Sequence, residues 1–430
     1  MTARRRDLQV RALARVEGEG ALRVVVEDGR VERAELRIYE PPRFFEAFLR
    51  GRQHSEVTDL TSRICGICPI AYQTCGWQAM EQICGVVVDA QIAALRRLLY
   101  CGEWISSHAL HIYLLHAPDF LGYQDAIAMA ENRREILERG LHLKKAGNAI
   151  LETVGGRAIH PVNTRVGGFH RAPTKAELGP LAEQLRHALD DALATVAWVA
   201  TFDFPDVELD HDLVALHHPD RYAIEAGEIR STSGLAFPAS EFAEHVIESQ
   251  VPHSTALHAA LDGHRYLAGP LARYTLNSVQ LSPVARQAAA DAGLGPTCRN
   301  PYRSIVVRAV ETVYAVDEAL RIIDAYERPE VPAVDVPPRA GVGYGVSEAP
   351  RGLLYNRYEI DAEGLITSAT IIPPTSQNQA AIEDDLRRIT ADNLHLDDAS
   401  LTALCERTIR HYDPCISCSA HFLQLTMDRR

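Results

Sequence analysis

The chain has 430 residues, 47% of them hydrophobic and 23% charged, enough to bury a large core across one to three domains. A formal net charge of -13, with no basic run, argues against nucleic acid as a partner. No window approaches the roughly 18 consecutive apolar residues of a spanning helix, and no apolar signal segment follows the basic N terminus, so the protein reads as cytoplasmic.

Leu22 to Val26 and Val31 to Tyr39 flank an Asp28-Gly29 turn and read as a hairpin, preceded by Arg15-Val16-Glu17-Gly18. Pro41 to Arg52 reads as a short helix presenting Phe44, Phe45, Phe48 and Leu49. Glu46 sits among these aromatics, either as a solvated carboxylate or, if buried, as one that needs a cation. From Pro69 the pattern is helical. Asp89 to His116 is apolar around most of its circumference, as in a buried helix. His108 and His111 share one face of it and read as hydrogen-bonded core histidines rather than a zinc pair. A further helix runs from Gln124 to Thr153, with Gly140 and Gly147 as expected interruptions. The loop Ile159 to Phe169 lacks the setting of a dinucleotide fingerprint.

Lys175 to Phe202 and Ala239 to Leu261 read as helices, with Pro205 to Pro238 irregular between them. Tyr266 to Arg273 reads as a tight connection, Pro283 to Ala290 as a short helix and Ser304 to Tyr326 as a long one. Arg328 to Arg339 carries four prolines and reads as a linker or extended crossover. Leu353 to Ile360 and Leu365 to Ile372 form a second hairpin, and Gln379 to Asp392 with Ser400 to Arg410 are the last helices. The expected fold class is α-rich α+β in one domain: an N-terminal hairpin region 13–40, a helical core 41–330, and a hairpin and C-terminal segment 339–421.

Nine cysteines are present, an odd count that does not suggest a disulfide scaffold. Cys75, Cys84, Cys101, Cys298 and Cys405 read as small buried hydrophobes. The other four form two Cys-x-x-Cys pairs at opposite ends, Arg63-Ile64-Cys65-Gly66-Ile67-Cys68-Pro69 and Asp413-Pro414-Cys415-Ile416-Ser417-Cys418-Ser419-Ala420-His421. Alone, such a pair is a redox dithiol or half a zinc site. Together they can supply four thiolates to one metal site that ties the two ends of the chain.

Read together, these motifs resemble the large, catalytic subunit of the [NiFe] hydrogenases. The likeness runs end to end through Arg15 to Gly18, Phe45-Glu46, Gly156 to Pro161, Gly269 to Arg273, Glu348 to Gly352 and Pro374-Thr375. It implies that Cys65, Cys68, Cys415 and Cys418 bind nickel, with Cys68 and Cys418 bridging to an iron that carries one carbon monoxide and two cyanides. It implies catalytic roles for Glu17, Arg351 and Cys415, in which the Cys415 thiolate accepts a proton from H2 and passes it to Glu17. Arg351, Pro374 and Thr375 would contact the centre's diatomic ligands. Glu46 and His421 would hold a magnesium ion or similar dication.

The resemblance also implies partners. No cysteine set is left over for an iron–sulfur cluster, so an iron–sulfur small subunit is expected, with diaphorase (flavin) and ferredoxin-like subunits binding NAD(P). Maturation proteins and a C-terminal endopeptidase are implied too, with residues 422–430 matching the propeptide removed after His421. Tyr72 stands where the family usually has histidine, a pattern similar to the cytoplasmic NAD(P)-linked group called sulfhydrogenases. Ser107 stands where many members carry aspartate. A hydrogen-sensing regulator and a four-thiolate zinc protein are the alternative readings, and retention of all four cysteines argues against a quinone-side respiratory module.

Overall fold

In the computed structural model, which describes residues 5–420, the helices Pro69–Cys84, Ala90–Leu110, Arg134–Gly155, Lys175–Val199 and Ser304–Asp324 build most of the core. Ala90–Leu110 is capped by Asp89, whose carboxylate accepts from the Gln91 amide at 2.7 Å. The helix is buried on nearly every side, and it continues through a π-helical turn, His111–His116. Thr174 and Glu177 close a capping box at the start of Lys175–Val199.

Gly140 and Gly147 do not interrupt their helix. It breaks instead at Arg133, between Ala126–Asn132 and Arg134–Gly155. A Cβ on Gly140 would lie 2.4 Å from the Tyr113 ring, and one on Gly147 would lie 2.6 Å from the Gly102 carbonyl oxygen. The two glycines let neighbouring helices approach, which is worth more here than their weak helix propensity costs.

Two stretches depart from expectation. Pro205 to Pro238 is not irregular: strands Asp212–His217, Glu228–Ser231 and Ala236–Phe237 join Tyr266–Ala268 in a four-stranded sheet. Tyr266 to Arg273 is accordingly a strand leading into a helix, Pro270–Asn277, rather than a bare connection. Ala239 to Leu261 is not a helix beyond the short turns that end at His245. It forms an antiparallel pair, Val246–Ser249 with His258–Leu261. β-Branched Val246 and Ile247 fit a pleated strand, and Pro252 cannot donate within a helix. The helical core 41–330 therefore contains a β insert.

The N-terminal hairpin is present as Gly20–Glu27 and Arg30–Ile38, with an added outer strand, Arg5–Val10. Positive φ at Asp28 (48°) and Gly29 (77°) gives the primed turn that suits the strand twist. Near the C terminus Gly341–Ala349, Gly352–Ile360 and Ile366–Ile372 form an antiparallel sheet. Gly343 and Gly345 would each place a Cβ within 2.2 Å of a carbonyl oxygen of Pro69–Cys84. Alternate glycines therefore flatten one face of this strand, and the helix carrying the first cysteine pair lies directly on it. Among the described residues no helix is long and apolar enough to cross a membrane.

Candidate metal centre

Cys65 is extended and Cys68 caps the Pro69–Cys84 helix, with Pro69 at its first position. The amides of Ile67 and Cys68 both donate to the Cys65 sulfur at 3.3 Å. Buried Glu103, from the next helix, accepts from the Ile70 amide at 2.6 Å and the Ala71 amide at 3.3 Å. These are donors that a helix start leaves without internal partners. Burial raises the Glu103 pKa well above the carboxylate range.

The second pair is held by residues from far along the chain. The Thr375 hydroxyl oxygen accepts from the Cys415 amide at 2.9 Å. Glu17 pairs with Cys415 as a parallel bridge, its carbonyl accepting from Ile416 at 3.0 Å and its carboxylate from the Ser417 amide at 3.1 Å. Arg43 joins the two cysteine loops, donating from one Nη to the Ile64 carbonyl at 2.7 Å and also to that of Ser417.

This framework brings the four sulfurs together, all within 4.8 Å of one another. Cys65 and Cys415 lie 3.5 Å apart, Cys68 and Cys418 3.7 Å, Cys415 and Cys418 2.8 Å. All four side chains are buried in the main core. Hydrogen bonds from the other three thiols, Cys415 foremost, and the charge of Arg351 pull the Cys65 thiol well below its ordinary pKa, whereas burial pushes Cys415 well above it. The cluster thus holds a first thiolate readily and further ones only against a compensating cation.

Arg351 is 2% exposed and pairs through Nε with Asp413 Oδ2 at 3.2 Å, while its two Nη atoms have no hydrogen-bond partner. Burial opposes its charge, but Asp413 and the cysteines beside it raise its pKa, and the guanidinium stays charged. Unpartnered buried donors within electrostatic reach of soft thiolates suit a metal centre that brings its own acceptor ligands. The residues present therefore fit a nickel–iron group.

Glu46 accepts from the Ile371 amide at 2.8 Å, and burial raises its pKa to about 7. Glu248 is raised to about 8 by burial and by the charge of Glu46. Two carboxylates in electrostatic reach of each other, both reluctant to ionise, suit a hard cation. His421, expected as a second ligand there, and the residues 422–430 lie outside the described residues. Tyr72 is buried, and burial with the charge of Cys418, Cys68 and Cys415 drives its hydroxyl pKa up. Ser107 is buried as well. Both histidines lie inside the core: His108 Nε2 is 3.0 Å from Glu311 Oε2 as an ion-pair contact, and His111 is hydrogen-bonded to the Arg410 carbonyl at 2.8 Å. Pro374 opens the helix Pro374–Asp392 and so places Thr375 in its first turn.

Comparison with known proteins settles the family. The nickel-dependent hydrogenase family matches residues 43–154. The alpha subunit of sulfhydrogenase 1 from Pyrococcus furiosus is 34% identical over 421 residues, covering 96% of this chain and 97% of that one. The chain belongs to the nickel-dependent hydrogenases. The alpha subunit of sulfhydrogenase 2 from the same organism is 32% identical, covering 97% of this chain and all of its own. An NAD+-reducing [NiFe]-hydrogenase in its H2-reduced state superimposes with a TM-score of 0.85 at 25% identity, covering 97% and 99% of the two chains. The chain is the catalytic subunit of a [NiFe] hydrogenase, with the α-rich fold of its relatives.

Sequence reasoning missed several residues of this hydrogenase centre. Asp413 stood inside a quoted motif without a role and is the ion-pair partner of Arg351. Arg43, Glu103 and Glu248 carried no local signal, because each meets its partner through the fold alone.

Proposed function

We propose that Cys65, Cys68, Cys415 and Cys418 hold a nickel–iron pair, with Cys65 and Cys415 terminal on nickel, Cys68 and Cys418 bridging, and one carbon monoxide and two cyanides on the iron. The observation that carries this reading is the buried four-sulfur cluster within electrostatic reach of Arg351, whose Nη atoms have no hydrogen-bond partner. When bound, such a centre supplies a Lewis acid that acidifies H2.

The chain's own residues do the rest. Arg351 keeps a fixed positive charge over the site and offers two donors to a cyanide or to the reacting molecule. The Thr375 oxygen accepts from the Cys415 amide, which leaves its hydroxyl hydrogen to donate to a second acceptor. The Cys415 thiolate takes the proton, and Glu17 receives it next. Glu17 is suited to this task because the Ser417 amide holds its carboxylate beside the Cys415 loop, at the edge of the buried site. Glu46, with Glu248, binds magnesium or a similar dication.

Electrons leave toward an iron–sulfur subunit docked where the first cysteine loop surfaces. Gly66 is exposed there beside Ile159, itself 58% exposed, and such an apolar rim suits a partner face. Flavin- and ferredoxin-like subunits then pass them to NAD(P) in the cytoplasm, a reading supported by the sulfhydrogenase and NAD+-reducing relatives.

Metal analysis with infrared spectroscopy on the complex tests the assignment. One nickel and one iron per chain, with one carbonyl and two cyanide stretches, is the expected result. Stoichiometric zinc without those stretches overturns it. Glu17→Gln is expected to retain these metals and bands, because the amide oxygen still accepts from Ser417, while H2 oxidation and H2/D2O exchange fall by about 10²–10⁴-fold. Exchange at the wild-type rate would send the proton along another path.

A further inference from the structure

A second cluster of metal-ligating side chains lies outside the cysteine centre. We propose that His253, His258 and Glu383 form a binding site for a first-row divalent cation of the zinc type. One ligand atom from each lies within 4.8 Å of the other two. His253 sits between the strands Val246–Ser249 and His258–Leu261, His258 opens the second of them, and Glu383 comes from the Pro374–Asp392 helix. The site therefore bridges the β insert and the helix that begins beside Cys415.

Part of the cluster is an ordinary pair: His253 Nε2 meets Glu383 Oε1 at 2.8 Å. His258 is the part that a simple ion pair leaves unexplained. It is 9% exposed, its ring lies 5.7 Å from that of His253, and its buried Nε2 has no hydrogen-bond partner. A buried imidazole nitrogen left without a partner is costly unless something meets it. Burial, then the neighbouring His253, lower the His258 pKa to about 4, so at neutral pH the ring carries a free lone pair.

The frame around the cluster is already set. Glu383 is oriented by the Leu36 amide, which donates to Oε1 at 3.0 Å. The loop between the histidines is pinned where Thr255 donates through its amide to the Ile38 carbonyl at 2.7 Å. Zinc bonds of 2.0–2.1 Å place tetrahedral ligand atoms about 3.3 Å apart, so His253 and Glu383 need to open by only about 0.5 Å to admit one. Two imidazoles and one carboxylate select zinc-like ions over magnesium or calcium and leave a fourth position open. A groove between Pro252-His253 and Gln9, Arg11 and Arg37 reaches His253 from solvent.

The test uses the assembled hydrogenase with its cysteine centre loaded, dialysed against Zn2+ and, in parallel, Co2+. Wild type is expected to take up one additional ion per chain. Its Co2+ spectrum should show weak visible bands without thiolate charge transfer, and X-ray absorption should find nitrogen and oxygen ligands alone. His258→Asn and Glu383→Gln, of similar polarity and different elements, should each weaken uptake by more than the 10–100-fold typical of losing an outer-shell partner. Equal uptake in wild type and both variants, or sulfur in the coordination shell of the added ion, overturns the proposal. The count is a difference of one ion between wild type and variant, so it holds whatever metal the cysteines carry.

Discussion

Arg351→Lys is expected to keep its nickel and iron and lose about 10²–10³-fold in H2 oxidation. The guanidinium makes its ion pair to Asp413 through Nε, its two Nη atoms have no hydrogen-bond partner, and its charge is felt by the cysteine cluster. A lysine ammonium keeps the charge but presents a single point of donors on a flexible stem. It can face Asp413 or the site, not both. Losing one preorganised donor at a buried reacting centre costs about 2.7–4 kcal/mol. Viologen-coupled H2 oxidation measures the loss, and shifted cyanide stretches in the infrared locate it at the centre. Unchanged stretches with unchanged rates would remove Arg351 from the site.

Arg273→Met is expected to destabilise the protein by about 3–5 kcal/mol, the cost of removing one member of a buried ion pair. Arg273 is 0% exposed, bonds Glu311 at 2.7 and 2.8 Å and reaches Glu348 at 3.2 Å. It lies over the Trp104 ring and donates to the carbonyls of Ala349 at 2.8 Å and Pro350 at 3.0 Å. Those carbonyls immediately precede Arg351, so the variant loosens the catalytic arginine as it weakens the core. Burial alone would raise the Glu311 pKa, but the charge and hydrogen bonds of Arg273, with His108, bring it down from 4.5 to about 2. A depressed carboxylate contributes stability above its unfolded pKa and loses it as pH falls toward the folded one. Without Arg273 burial raises the Glu311 carboxyl, so the variant protonates first as pH falls, and its deficit should be larger at neutral pH and shrink as pH falls toward about 2. Denaturant midpoints at pH 7 and pH 3.5 check this, and an equal deficit at both would place the damage in packing.

The cysteine centre was legible because each half is written in a few consecutive residues, and thiols at that spacing have few chemical uses. Arg351 and Thr375 followed from the family likeness. Asp413, Arg43 and Glu103 did not, since a carboxylate or guanidinium announces no partner until the chain has folded. Long helices such as 304–324 were legible from apolar residues on all sides. The stretch 239–261 was not, because Ala239, Phe242 and Val246 keep a helical spacing while the backbone of 246–249 takes its partners from another strand. The glycines 343 and 345 mark where a helix backbone rests on a strand.

Cys65 and Cys415 are 350 residues apart in sequence. At the roughly 5–20 residues per second of protein synthesis, the first pair leaves the ribosome on the order of 20–70 s before the second exists. Through that interval Cys65 and Cys68 have only each other. Two thiols alone discriminate poorly among divalent ions, whose selection follows geometry and supply rather than intrinsic affinity. The four-sulfur geometry therefore exists only once the second pair has folded against the first.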